Sequence, residues 1–430
     1  MATDITSDIY GGSATSIEAD LLVVGAGIAG ITAAIETAEL GKRVILIEQM
    51  SYIGGRVTTS NQYFPKLCPP SCGLEINLRR IRANPLISVL TLAEVDEVTG
   101  SAGSYQAQVT LRPRFVNTKC TACGECEKVC EIERDNEFNF GMDKTKAIYM
   151  PHLLAYPHRF VVDPEFVGDA RMQKCVDACE YGAIELDMEP QTVQMNVGAI
   201  VWATGWKPYD ATRLEGLGFG DYSNVITNVM MERYASESGP TSGKIIRPSD
   251  GEAPKKLGFV QCAGSRDENH LPYCSSVCCL VSMKQATYVR EQYPEAEIHL
   301  FYIDVRAPGR MEDFYDTVSK DEKMFFHRGK VGKITERPDG GLTLDAENTL
   351  TGEIIHTDVD MAILAVGMVP NSVDKPPPLH TPMDDDGFIV HDATDGVIGT
   401  GTAVRPLDVA SSVQDATGAA LRALNQAGGR

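Results

Sequence analysis

One short stretch restricts this chain more than any other. Residues 19–25 (ADLLVVG) form an apolar run that reads as a buried parallel strand, and Gly25, Gly27 and Gly30 follow at the head of a helix-forming segment. In such a turn the first glycine makes the tight bend, the second lets a pyrophosphate reach the backbone, and the third lets helix and strand pack closely. The spacing predicts a helix from about Ile28 to Leu40, a stop at Gly41 and a second strand from Arg43 to Glu48. That is a βαβ unit whose helix N-terminus offers free N–H groups and a positive dipole end to phosphates. A glycine-rich packing turn is the plainer alternative. Glu48 argues against it, because a carboxylate closing the second strand can take ribose hydroxyls. The candidate nucleotide residues are therefore Gly25, Gly27, Ile28, Ala29, Gly30, Glu48 and Gln49, followed by Gly55, Arg56 and Val57.

Two distant segments select FAD over NAD. Ala203-Thr204-Gly205 ends a predicted strand at 197–205, as in two-domain flavoproteins that resume their FAD domain after an insertion. Gly399-Thr400-Gly401-Thr402, followed by a helix from about Val409, resembles the stretch that closes over the flavin in those proteins. The usual Gly-Asp pair is replaced there by Thr400 and Gly401, which puts the ribityl contact at issue but leaves Gly401 and Thr402 as candidates.

The 12 cysteines matter next. The start, MATDITSDIY, lacks the basic and apolar regions of a signal peptide, and no apolar run approaches the ~20 residues of a membrane helix. A cytoplasmic setting is expected, peripheral to the inner face of the cytoplasmic membrane through partner subunits, with no direct span. Clustered cysteines there more often bind metal or do redox chemistry than form disulfides. The formal net charge of -20 repels phosphate backbones and argues against nucleic acid as a partner.

Cys120, Cys123, Cys126 and Cys130 have the C-x-x-C-x-x-C-x-x-x-C spacing of bacterial ferredoxins, in which the fourth cysteine of each run serves the other cluster. Counting back from Cys179 puts Asp169, Met172 and Cys175 at the first three positions of the partner run. One [4Fe–4S] cluster is thus expected on Cys120, Cys123, Cys126 and Cys179. The other has lost two ligands, leaving Cys130 and Cys175 as relics, free or close to each other. Zinc is the alternative for four cysteines.

Cys262, Cys274, Cys278 and Cys279 fall where a second dinucleotide fold would place its phosphate loop, and no G-x-G-x-x-G follows that strand. NAD(P) binding is therefore not expected. Three readings stay open: a second [4Fe–4S] cluster, a redox dithiol of Cys274 and Cys278, or inert buried thiols. Cys68 and Cys72, in LCPPSCG, lie either near the flavin ring or in the core.

The expected fold is α/β: a two-dinucleotide-binding-domain flavoprotein of the thioredoxin reductase type with an inserted ferredoxin-like domain. Residues 1–18 read as a flexible tail. The FAD domain occupies 19–111 and continues, with a linker, over 191–250. The iron–sulfur insertion is 112–190. A degenerate NAD-binding-like domain with the second cysteine group covers 251–370, and 371–430 returns to the FAD domain. Within 251–370 the expected elements are a strand at 256–261, a helix at 276–293, a strand at 297–303, two short strands over 330–356 and a strand at 360–366.

The combination of VVGAGIAG, GGRV, KAIYMPHLLAYP, VGAIVWATGW, QCAGSRDENHLPYCSSVCC and FYIDVRA resembles the family of heterodisulfide reductase A-type subunits from about residue 20 to 425. The chain is expected to be a short form, without the extra N-terminal domain and the C-terminal ferredoxin domain of those proteins. With the worn second run, this makes it more similar to the family's quinone-linked branch, the A-type subunits of the quinone-interacting membrane-bound oxidoreductase complex. That resemblance implies an electron-transfer oxidoreductase working beside two partner subunits, a second flavin–iron–sulfur protein and a membrane haem protein. It also implies electron flow between the menaquinone pool and adenylylsulfate reductase in dissimilatory sulfur metabolism. Flavin-based bifurcation of the heterodisulfide reductase type, a stand-alone thiol–disulfide reductase and a scaffold with remnant cofactors are the rivals. No residue stands out as a general acid or base.

Overall fold

The predicted first strand is β1 (Ser16–Val24), followed by helix α1 (Ile28–Glu39) and β2 (Val44–Glu48). These are elements of a computed structural model that describes residues 16–390 and 398–427. Helix α2 (Pro70–Ala83), β3 (Ile87–Thr91) and the hairpin of β4 (Ala93–Ser101) and β5 (Ser104–Leu111) come next. After an excursion the chain returns as β6 (Gln191–Trp202). The strands lie in the order β3-β2-β1-β6-β5-β4. β1 is parallel to β2 and β6, with Leu21 opposite Val44 and Ala199, while β5 runs antiparallel to β6. Leu21, Leu22 and Val23 are all buried because the helices cover one face and the β4–β5 hairpin helps cover the other. A strand covered on both faces reads as a continuous apolar run, which is why β1 was legible.

The excursion, residues 112–190, holds only short elements: helices α3 (Glu125–Val129) and α4 (Met172–Asp177) and two small antiparallel ladders. Its core includes Phe115, Val116, Ile148, Phe160 and Met172, closed by the sulfurs of Cys126, Cys130 and Cys175.

A second parallel sheet follows. Its elements are β7 (Val225–Thr227), α5 (Asn228–Ala235), β8 (Lys256–Ala263), α6 (Cys278–Gln292), β9 (Glu297–Tyr302), α7 (Met311–Ser319) and β10 (Met324–Arg328). A three-stranded antiparallel layer of β11 (Val331–Glu336), β12 (Leu342–Glu347) and β13 (Ile354–Val359) leads into β14 (Met361–Val366). The parallel order is β7-β14-β8-β9-β10. The sequence predicts two strands over 330–356 where the layer has three; β13 begins at an outward-facing Ile354 and buries only Thr357 and Val359, a weak alternation. Residues 236–255 carry no helix or strand, yet Ile245 is fully buried and its N–H donates to Gln292, so this loop is packed down.

The two-residue strand Ile398–Gly399 pairs with the end of β6, and helix α8 (Val409–Ala427) packs on α1 through Ala416, Ala419, Ala420 and Ala423. Among the described residues no helix is long and apolar enough to cross a membrane. Residues 1–15 of the expected tail lie outside the described residues.

Candidate functional site

The glycine turn opens onto a cavity of about 660 Å³. Gly25 (φ +98°) makes the bend, and its N–H donates to Ile47. A Cβ on Gly30 would stand 1.8 Å from the Gly25 carbonyl oxygen, so that glycine serves packing and does not line the cavity. A Cβ on Gly27 would meet nothing nearer than 3.9 Å; it would fill the cradle itself. No side chain caps α1, so its first N–H groups are left for a ligand.

Glu48 is buried and lines the cavity, its carboxylate accepting the N–H of Ala26 at 2.8 Å and of Met50 at 2.9 Å. Burial raises its pKa, and those N–H donors pull the other way. Arg56 also lines the cavity. Its Nε donates to the Trp206 carbonyl at 3.1 Å, its guanidinium lies 5.5 Å from the Trp206 ring centre, and it pairs with no carboxylate among the described residues. Burial pulls its pKa below the ordinary value. The Trp202 indole N–H and Thr204 hydroxyl, on the same walls, are buried without partners. An open cradle, free helix N–H groups, an unpaired cation and orphaned polar atoms fit a dinucleotide such as FAD.

Of the sequence candidates, Gly25, Gly27, Ile28, Ala29, Glu48, Gln49, Gly55, Arg56, Val57, Ala203, Thr204, Gly205 and Thr402 all line this cavity. Gly401 does not; it presses on α1, where a Cβ would come within 2.7 Å of Ala29 Cβ. The loop that lacks the usual Gly-Asp pair is tied down from α8: Asp415, which does not line the cavity, accepts the Thr400 hydroxyl at 2.9 Å and the Gly401 N–H at 2.8 Å. Other walls have no sequence signal. Arg134, Phe138 and Tyr149 of the insertion face the cavity, as do Glu232 of α5 and Lys284 of α6. Glu232 and Lys284 form a buried ion pair at 2.9 Å, and Glu232 also accepts the Asn61 N–H and the Gln285 amide.

Cys120, Cys123, Cys126 and Cys179 converge on a small hollow lined also by Val116, Phe160 and Ile184. Burial, followed by the neighbouring Cys120, pushes the Cys126 thiol up to about 12. The Ala183 N–H donates to Cys179 Sγ at 3.3 Å. Cys130 and Cys175 are buried side by side; burial, then Cys130, lifts the Cys175 thiol to about 12. The worn positions are filled: Met172 is fully buried in the core, and Asp169 is engaged by Arg171 at 2.6 Å.

The second group also converges. β8 carries a bulge between Val260 and Ala263 that re-aims Cys262, itself at φ +56°. Cys278 and Cys279 open α6, and Cys274 precedes them on a loop with Ser276 at φ +63°. Cys262, Cys278 and Cys279 are buried, and Cys274 is half-buried. Burial, followed by Cys279, pushes the Cys262 thiol up to about 11. Burial pushes Cys278 higher still. Ser276, Val277 and Leu280, interleaved with these cysteines, line the cavity at the glycine turn, whereas no residue of the first group does. Among the described residues no group of three His, Cys, Asp or Glu side chains is placed to hold a single metal ion. Cys72 is exposed and Cys68 half-buried, so the core reading of that pair gives way; neither is among the residues lining the cavity. Its link to the site is indirect, through the Tyr63 N–H that donates to the Cys68 carbonyl.

Comparison with known proteins agrees with this geometry. A family described as FAD dependent oxidoreductase matches residues 20–71. The chain is 37% identical over 425 residues to the A subunit of the H(2):CoB-CoM heterodisulfide,ferredoxin reductase of Methanothermobacter marburgensis, covering 96% of this chain and 64% of that protein. It is 40% identical over 417 residues to the A 2 iron-sulfur subunit of the CoB–CoM heterodisulfide reductase of Methanopyrus kandleri, covering 94% and 63%. It therefore spans a little under two thirds of the length of these curated relatives. In fold it is similar to the thioredoxin reductase of Lactococcus lactis, with a TM-score of 0.52 at 14% identity, covering 96% of this chain and all of that one.

Proposed function

Because this chain belongs to the family of heterodisulfide reductase A-type subunits, we propose that it is a flavin–iron–sulfur electron-transfer subunit, with FAD in the 660 Å³ cavity and a [4Fe–4S] cluster on each converging set of four cysteines. One observation carries the proposal. The cavity that begins at the glycine turn and Glu48 ends on Ser276, Val277 and Leu280, the residues interleaved with the second cysteine group. FAD supplies a centre that takes two electrons together and releases them singly. The chain's own part is placement. Gly27 and the α1 N-terminus cradle the pyrophosphate, Glu48 holds the ribose end, and Arg56 brings a cation. N–H groups of Ala183 and Ser276 donate to Cys179 and Cys274 at 3.3 Å each, a lever on cluster potential.

The family resemblance supports the finer role: relay between the menaquinone pool and adenylylsulfate reductase, beside two partner subunits, a second flavin–iron–sulfur protein and a membrane haem protein. The relatives' names point instead to reduction of the CoB–CoM heterodisulfide. Reduction of the flavin by a menaquinol analogue, dependent on the haem protein, supports the first role; turnover of the heterodisulfide by the assembled complex supports the second. A dithiol enzyme built on Cys274 and Cys278 is the rival at this group; Cys278→Ser that abolishes thiol–disulfide activity without loss of iron would favour it.

The test is the iron, sulfide and flavin content of protein purified without oxygen. About eight irons and one flavin per chain are expected. About four irons would remove one cluster, and a colourless, iron-free protein would overturn the reading. Cys179→Ser should lose about four irons, whereas Cys175→Ser should keep them all.

A further inference from the structure

Three ionised side chains stand over the second cysteine group and are not ligands. The Asp304 carboxylate pairs with the Arg266 guanidinium, and Arg306 Nε lies 3.5 Å from the same oxygen. The backbone of Asp304 is tied to the group as well, since Cys279 Sγ donates to its carbonyl at 3.6 Å. Arg266 follows the bulge that re-aims Cys262 and sits at φ +56°, a left-handed conformation that a long side chain rarely adopts. Backbone strain of this kind persists where the surroundings impose it. The loop after β9 delivers Asp304 and Arg306, so two separate βα turns bring their cations to one place. This happens in a chain whose formal charge is -20.

Thiolates at this position carry a physical problem. Cys262, Cys278 and Cys279 are buried, and Cys274 is half-buried. Iron binds the deprotonated sulfur, so assembly requires four negative charges in a confined space. Relief comes from Arg266 and Arg306, both gathered at the Asp304 carboxylate, while the backbone carbonyl of Asp304 accepts Cys279 Sγ.

We infer that Arg266 and Arg306, yoked by Asp304, are the counter-charge of the second cysteine group, and that they hold the reduction potential of the cluster bound there above the value its thiolates alone would set. They are positioning residues, not ligands. The inference rests on the two-cluster reading above. Added negative charge on reduction is stabilised by nearby cations, so their removal makes reduction harder.

The experiment is an EPR-monitored redox titration of the anaerobic protein, wild type against Arg266→Gln, Arg306→Gln and the double variant, with iron counted in each. The expected result is a more negative midpoint for one cluster, larger in the double variant, with the other cluster unmoved. Arg→Lys variants, which keep the charge, should return most of the shift. If a Gln variant loses iron, recovery of that iron by the Lys variant supports the inference, and failure to recover it overturns it. Unmoved midpoints in a protein with about eight irons overturn this inference alone. A wild-type protein with about four irons, and a single cluster signal that Cys262→Ser leaves intact, removes the second cluster and this inference with it.

Discussion

Gly27 and Gly30 lie in one turn and do different work. A methyl group on Gly30 collides with backbone, whereas one on Gly27 enters space that a phosphate would use. Gly30→Ala should therefore destabilise the protein by about 1–3 kcal/mol or more, the cost of overpacking, with a lowered melting temperature even without flavin. Gly27→Ala should leave the melting temperature of the flavin-free protein nearly unchanged but lower bound flavin, read from absorbance after desalting. Equal melting losses for both would contradict this division. The sequence announced these glycines because the turn is local, as is the ferredoxin spacing of Cys120, Cys123 and Cys126. It gave no sign of Asp415, which acts on Thr400 and Gly401 from the far side of a turn and a helix start. A carboxylate that arrives through tertiary packing leaves no mark in the loop it ties down.

At the scale of elements, α1 and α8 meet through alanines. Ala33, Ala34 and Ala38 on one side and Ala416, Ala419, Ala420 and Ala423 on the other are all buried. Small side chains let the helices approach closely, so a larger one must push them apart. Ala419→Leu should cost about 1–3 kcal/mol in equilibrium unfolding, while Leu421→Ala, on the exposed face, should cost less than about 0.5 kcal/mol. Similar losses for both would mean that the helix face is misassigned. The βαβ units were legible because buried parallel strands read as continuous apolar runs. α2 was not, since its opening residues Pro70, Ser71, Cys72 and Gly73 read as loop and only Leu74, Leu78 and Ile81 are buried. The β4–β5 hairpin and α7 were missed for the same reason: each is half-exposed, and its register is set by what it covers.

At the scale of the whole molecule, the Glu232–Lys284 pair links the two sheets' territories. Glu232 lies on α5 and Lys284 on α6, and both reach residues after the glycine turn: Asn61 donates to Glu232, and Lys284 donates to Gln62. Lys284→Met removes one partner of a buried charge pair and should cost about 3–5 kcal/mol, whereas Glu232→Gln with Lys284→Met should cost clearly less. A double variant as unstable as the single one would show that the pair matters by shape alone. Nothing in the sequence marked these two residues, because ion pairs between distant helices have no spacing to read.

The walls of the cavity come from residues as early as Val24 and as late as Ser412. A ribosome that has released the glycine turn has thus made only the first wall, and the last arrives with the start of α8. Nascent chains can hold a ligand there only loosely until that segment has emerged. Capture of a yellow cofactor would then report that translation has passed Ser412.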